Sequence, residues 1–200
     1  MINTLLSRLN SPGSYAVSKA LKEIRGLIHC YLTGGMPDRH RIKKAKTRLA
    51  DILQNARDKH LRPAHIRLIV DTQQVLLLVE DSFREIRDYN LEHTQEITKF
   101  FTVYIAILDA FRKTIAFPVS GTTTASPGSL ITAGRELVRS FRLDILSRND
   151  NFPDRMALLT LYSHLETVLS ESNQEVFRKL LYHTQKHAVG RRKHFCVSCT

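Results

Sequence analysis

The sequence predicts an all-α protein, a seven- or eight-helix bundle around a long central helical pair at about residues 64–89 and 94–117. Three observations carry this. Apolar residues recur at steps of three and four through nearly every extended segment, the spacing that aligns side chains on one face of an α-helix. No segment keeps up the period-two alternation of a half-buried strand. The stretch from Pro63 to Pro118 holds most of the aliphatic and aromatic weight, as a central hairpin of helices requires.

Residues 2–9 make a short amphipathic turn or two, broken off by Asn10-Ser11-Pro12-Gly13. A clear helix follows, capped by Ser14, with Val17, Leu21, Ile24, Ile28 and Tyr31 on one face and Gly34-Gly35 as its stop. Gly26 inside it costs about 1 kcal/mol relative to Ala, so it is expected to mark close contact with a neighbouring helix. Pro37-Asp38 opens the next helix, whose buried stripe is Ile42, Ala45, Leu49, Ile52 and Ala56.

In the first central segment Ile69, Leu76, Val79, Phe83 and Ile86 share a face. The second repeats the pattern with Ile97, Phe101, Tyr104, Leu108, Phe111 and Ile115, while Phe100, Ile105 and Ile107 spread apolar surface round most of its circumference. A helix apolar nearly all round belongs at the centre. Pro63 fixes the start of the first segment, Thr94 caps the second and Pro118 ends it. No Gly or Pro separates the two, so the competing arrangement is one unbroken helix through residue 90.

The charge-free stretch at 118–129, rich in Ser, Thr, Gly and Pro, is expected to be a flexible loop. Three helices follow, at 130–147 (Leu130, Leu137, Val138, Phe141, Ile145), 154–169 (Leu158, Leu161, Tyr162, Leu165, Val168) and 173–188 (Val176, Phe177, Leu180, Leu181). Asn149-Asp150-Asn151 and Ser170 to Asn173 are their turns. The expected organisation is therefore an N-terminal helical bundle at 1–117, the loop at 118–129, a C-terminal three-helix part at 130–188 packed on the first, and a basic tail at 189–200, all in one domain.

Three cysteines, Cys30, Cys196 and Cys199, do not form a disulfide framework, and a reducing compartment is expected. The N-terminus has no basic region followed by a leader-like apolar core. The purest apolar run, Phe100 to Leu108, is about half the ~20 residues of a membrane span. A cytoplasmic protein without a transmembrane segment follows from these features.

The net charge of +11 is uneven, at +9 over residues 1–62, −2 over 63–129 and +4 over 130–200. Its focus is Arg39-His40-Arg41-Ile42-Lys43-Lys44-Ala45-Lys46-Thr47-Arg48, at the start of a helix where cations oppose the macrodipole by a few tenths of a kcal/mol each. Such a surface gathers anions. The candidate anion-binding residues are Arg39, Arg41, Lys43, Lys44, Lys46 and Arg48, with Arg191, Arg192 and Lys193 in the tail. No helix-turn-helix signature or aromatic interleaving accompanies them, which favours phosphate contact over base reading. The expectation is a non-enzymatic regulatory or adaptor bundle that binds an anionic partner, nucleic acid or an acidic protein. The alternatives are a small-ligand or metal-dependent helical-bundle enzyme and a peripheral membrane-associated protein.

The other candidates have plainer explanations. Glu80, Asp81, Glu85, Asp88 and Asp109 lack the Glu-x-x-His of a di-iron bundle, and helical ion pairs with Arg84, Arg112 and Lys113 account for them. His29, His40, His60, His65, His93 and His164 read as surface. His183, His187, Cys196 and Cys199 have spacings that suit zinc, but the cysteines end the chain beside a basic run, and no metal or other cofactor is expected. No nucleophile lies in a strand-turn-helix elbow or a Gly-rich loop, so no catalytic set is assigned.

Overall fold

Proline is the first residue of three of the described helices. Its ring fixes φ near the helical value, and the N–H it lacks would have no partner in a first turn. The computed structural model describes residues 12–91, 94–116, 127–147 and 152–172, in six helices with no strand among them. These are α1 (Pro12–Gly34), α2 (Arg39–Asp58), α3 (Pro63–Asp88), α4 (Gln95–Ala116), α5 (Pro127–Ser147) and α6 (Phe152–Ser172). The all-α expectation holds, and six of the expected helices are present. Those expected at 2–9 and 173–188 lie outside the described residues.

Two starts differ from expectation for the same reason. Pro12 and Pro127 are first residues of helices and not breakers ahead of them, so Ser14 is inside α1 and residues 127–129 belong to α5 rather than to a loop. At the other end of the chain, Ser170 to Ser172 continue α6 instead of turning.

The ends of α2 and α3 explain why no Gly or Pro is needed between α3 and α4. His60 and Asn90 take positive φ, 48° and 51°, and each is followed by a leucine. Leu61 N–H donates to Ala56 O at 3.0 Å and Leu91 N–H to Ile86 O at 2.8 Å. His60 and Asn90 N–H groups reach Arg57 O and Arg87 O. These are two Schellman motifs, which recapture terminal carbonyls and turn the chain. Gly35, at φ 87°, ends α1 in a left-handed conformation that glycine adopts without strain. At α2 the Asp38 carboxylate accepts the Arg41 N–H at 2.6 Å, an N-cap worth about 1 kcal/mol that also offsets the cations behind it. Thr94 stands at the N-cap position of α4, where its carbonyl accepts Thr98 N–H at 3.1 Å, but its hydroxyl has no partner.

Around the core, α1 packs against α4, α4 against α5, α5 against α6, α6 against α3 and α3 against α1, while α2 lies over the seam between α1 and α3. The expected central pair is modified here. The backbones of α3 and α4 do not pack closely along their length; they meet through side chains. Tyr31 of α1, Phe83 of α3 and Phe101 of α4 form a three-ring contact with centroids 5.6, 5.2 and 5.3 Å apart. Phe100 extends it edge-on to Phe101 at 5.5 Å and stacks on Tyr104 at 6.0 Å. Leu108 and Phe111 continue the same buried face, as the spacing predicts. A second ring pair, Phe141 and Tyr162 at 5.5 Å, joins α5 to α6.

Gly26 is not a contact glycine, because it is exposed and a Cβ there would meet nothing within 4 Å. That part belongs to Gly134, where a Cβ would come within 3.1 Å of Leu169 on α6. Gly26→Ala should therefore raise stability by about 1 kcal/mol through helix propensity alone. Urea unfolding measures it, and a loss of stability would place an unseen neighbour against α1.

Candidate anion-binding face

The α2 stripe Ile42, Ala45, Leu49, Ile52 and Ala56 is buried, so the helical period turns every cation of the cluster outward. Arg39, His40, Arg41, Lys43, Lys44, Lys46 and Arg48 are all exposed. The cations divide by position. Lys46 sits at the α3 edge with its Nζ 2.6 Å from Glu80 Oε2, and Arg48 sits at the α1 edge, 3.2 Å from Glu23 Oε2. Exposed pairs of this kind contribute at most about 1 kcal/mol, but they fix the rotation of α2 on its two supports. Arg41 donates to Cys30 Sγ on α1. Arg39, Lys43 and Lys44 occupy the crest and make no ion pair among the described residues. Arg191, Arg192 and Lys193, the tail half of the expected site, lie outside those residues, as do His93, His183, His187, Cys196 and Cys199.

The acidic cluster is taken up by pairing, partly across helices. Asp81 pairs with Arg84 at 3.2 Å, as its spacing predicts. Glu80 pairs with α2 instead of its own helix. Asp109 accepts both oxygens' worth of contact from Arg25 Nε of α1, at 2.9 and 3.1 Å, and pairs with Arg112 at 3.2 Å. Among the described residues no group of three His, Cys, Asp or Glu side chains is placed to hold a metal ion.

Two histidines depart from the surface reading. His164 is half-buried between α6 and α3, its Nδ1 2.7 Å from Glu85 Oε1. The separation is that of an ion pair, but the two groups do not meet in hydrogen-bond geometry. His65 is wedged against Gly13, where any Cβ would run into the imidazole. Burial, and then the Arg62 guanidinium, hold His65 below its ordinary value of 6.5.

Sequence spacing also passed over a polar group in the core. Asp71 falls three residues after Leu68 and four before Val75, within the buried stripe of α3, and is 8% exposed. Its Oδ2 has no hydrogen-bond partner. Burial raises its carboxyl above the usual range, Arg67 opposes the rise and Glu171 of α6 adds to it. With Pro63, Ile66, Arg67, Val70 and Gln74 it lines a solvent-open groove on the outer face of α3. The stripe position was the available signal.

Comparison with protein-family models, with curated proteins and with solved structures finds no match. Among the described residues no helix is long and apolar enough to cross a membrane.

His65 gives a pH dependence with a definite sign. Its folded pKa is depressed, so its stabilising contribution is complete above about 6.5 and is lost as pH falls through that value toward the folded one. Thermal melts from about pH 7.5 to about pH 5 should show a loss of stability that is smaller in His65→Gln. Identical pH profiles for the two proteins would contradict the assignment.

Proposed function

We propose that this is a non-enzymatic helical adaptor or regulatory protein that holds an anionic macromolecule, nucleic acid or an acidic protein, on the outward face of α2. The observation that carries the reading is the division of the cluster. Lys46 and Arg48 have acidic partners that anchor the helix, whereas Arg39, Lys43 and Lys44 stand on the crest without one among the described residues. Like charges three and four residues apart on one helix cost a few tenths of a kcal/mol, and an anion on the crest relieves that repulsion. A convex helix surface dominated by Lys and Arg holds charge without a concave site in which to enclose a reacting group, so the reading is one of binding rather than catalysis.

Contact of this kind is with phosphates or carboxylates and not with base edges, and it predicts affinity without sequence preference. The basic tail, Arg191, Arg192 and Lys193, is assigned to the same partner, and the three cysteines, too few for a disulfide framework, suit a reducing compartment such as the cytoplasm.

The double substitution Lys43→Glu with Lys44→Glu tests the reading, since both side chains are exposed and the fold should be unaffected. For a duplex polyanion, binding of the unaltered protein should weaken steeply between about 50 and about 200 mM salt, and the double variant should bind far more weakly with a salt slope lower by about two. Fluorescence anisotropy across that range measures both. Binding and slope unchanged by the substitutions would leave α2 a solvated face.

A further inference from the structure

α6 is apolar on two sides. Leu161, Tyr162, Leu165, Val168 and Leu169 make its buried face, while Phe152, Met156 and Leu159, at helical steps of four and three, make a second stripe turned away from it. Leu159 is partly buried, and Phe152 and Met156 are exposed. On α5, Leu143 and Leu146 likewise stand outside the buried stripe that includes Val138, Phe141 and Ile145.

Two contacts set these stripes side by side. Arg142 of α5 pairs with Glu166 of α6 at 2.9 Å, and Arg135 reaches the Ser170 hydroxyl at 3.4 Å, all four residues lying along the outer seam of the α5–α6 hairpin. Leu146 follows Arg142 by one helical turn, and Phe152 and Leu159 precede Glu166 by fourteen and seven residues, which returns them to the same side. Toward its turn the hairpin therefore presents Leu143, Leu146, Phe152 and Met156 on one outer face. They are 59, 60, 69 and 45% exposed. For side chains of this size that is on the order of 450 Å² of apolar surface, in the upper range for a patch on a monomer. It suffices for the dry centre of an interface of about 800 Å² per partner.

The rim decides what fits there. Arg139, Arg142 and Arg155 border the patch together with Glu136, Asp144 and Glu166, so the rim has no excess of either sign in a chain whose net charge is +11. A polyanion or an anionic lipid surface calls for a basic rim, and a strongly charged protein for a rim of the opposite sign. A balanced rim around an apolar centre suits a second copy of the same face, because under two-fold symmetry each cation can meet an acid of the other copy.

We propose that two copies of this chain associate through the outer faces of their α5–α6 hairpins, with Leu143, Leu146, Phe152 and Met156 of each at the centre. α5 lies across the bundle from the α1–α3 seam that carries α2, so the pair leaves both α2 crests uncovered on its far sides. An anion long enough to reach both would be held by two faces at once. That consequence rests on the reading of α2, whereas the association does not.

Sedimentation equilibrium from about 1 to about 100 μM, a span that covers the weaker affinities of standard-size interfaces, tests it. The protein should approach twice the 22.9 kDa of one chain. Leu146→Asp and Phe152→Asp, both at exposed positions, should each raise the dissociation constant at least about a hundredfold by burying a carboxylate at the centre, with circular dichroism unchanged. Where either fails to fold, Met156→Lys takes its place. Lys43→Glu with Lys44→Glu should leave the association as it is, which separates this result from any failure of the α2 reading. A single-chain mass at every concentration overturns the proposal, and flotation of that monomer with phosphatidylcholine vesicles, lost in Phe152→Asp, would give the face to a lipid surface instead. A two-chain mass that survives both substitutions also overturns it, by putting the interface elsewhere on the molecule.

Discussion

The contact among Tyr31, Phe83 and Phe101 is the constraint on which the rest of the bundle depends. The three rings come from α1, α3 and α4, two of which do not otherwise pack closely on each other. Large aromatic side chains bury some 150–250 Å² each, and here they span a gap that aliphatic residues would leave open. The consequence is geometric as well as energetic. Tyr31 against Phe83 at one end and Gly13 against His65 at the other set α1 and α3 side by side in parallel. The seam between them is where α2 lies.

Once α2 is confined to that seam, its charge has nowhere to go but outward. The five-residue stripe takes the inner side, Lys46 and Arg48 reach down to Glu80 and Glu23 on the two flanks, and the crest is left to Arg39, Lys43 and Lys44. The Asp38 cap makes that concentration tolerable at a helix start, by placing a carboxylate on the same N–H groups that the cations disfavour. Core packing and surface charge are therefore one arrangement, with the rings fixing the support and the support fixing the face. On α3 the opposite holds, since Asp71 brings a carboxyl group into the buried stripe, where the other buried polar side chains, Thr72 and Ser82, are hydroxyls that donate to Leu68 O and Leu78 O.

What the sequence made legible follows from which forces are local. Periodicity located six helices because burial of a stripe is what makes a segment helical, and the stripes of α1 to α4 are the residues found inside. Proline is an ambiguous signal because one ring can open a helix or end one: Pro12 and Pro127 open helices where a break and a loop are expected, and Pro63 opens one where a start is expected. Asn90 carries the break between α3 and α4, a signal present in the sequence but weaker than glycine. Gly26 and Gly134 could not be told apart, since contact with Leu169 is a fact of another helix. The cations of the face were visible as a cluster. Which of them are already paired was not, because Glu23 and Glu80 are local in space and distant in sequence.

If the three-ring contact holds the bundle together, opening any one of α1, α3 or α4 there must unfold the others. Native-state hydrogen exchange measures this most directly. The amides around Tyr31, Phe83 and Phe101 should exchange together and most slowly, at the free energy of global unfolding, with α2 opening earlier. A slowest core centred on Phe141 and Tyr162, or α3 and α4 opening at separate free energies, would contradict the account.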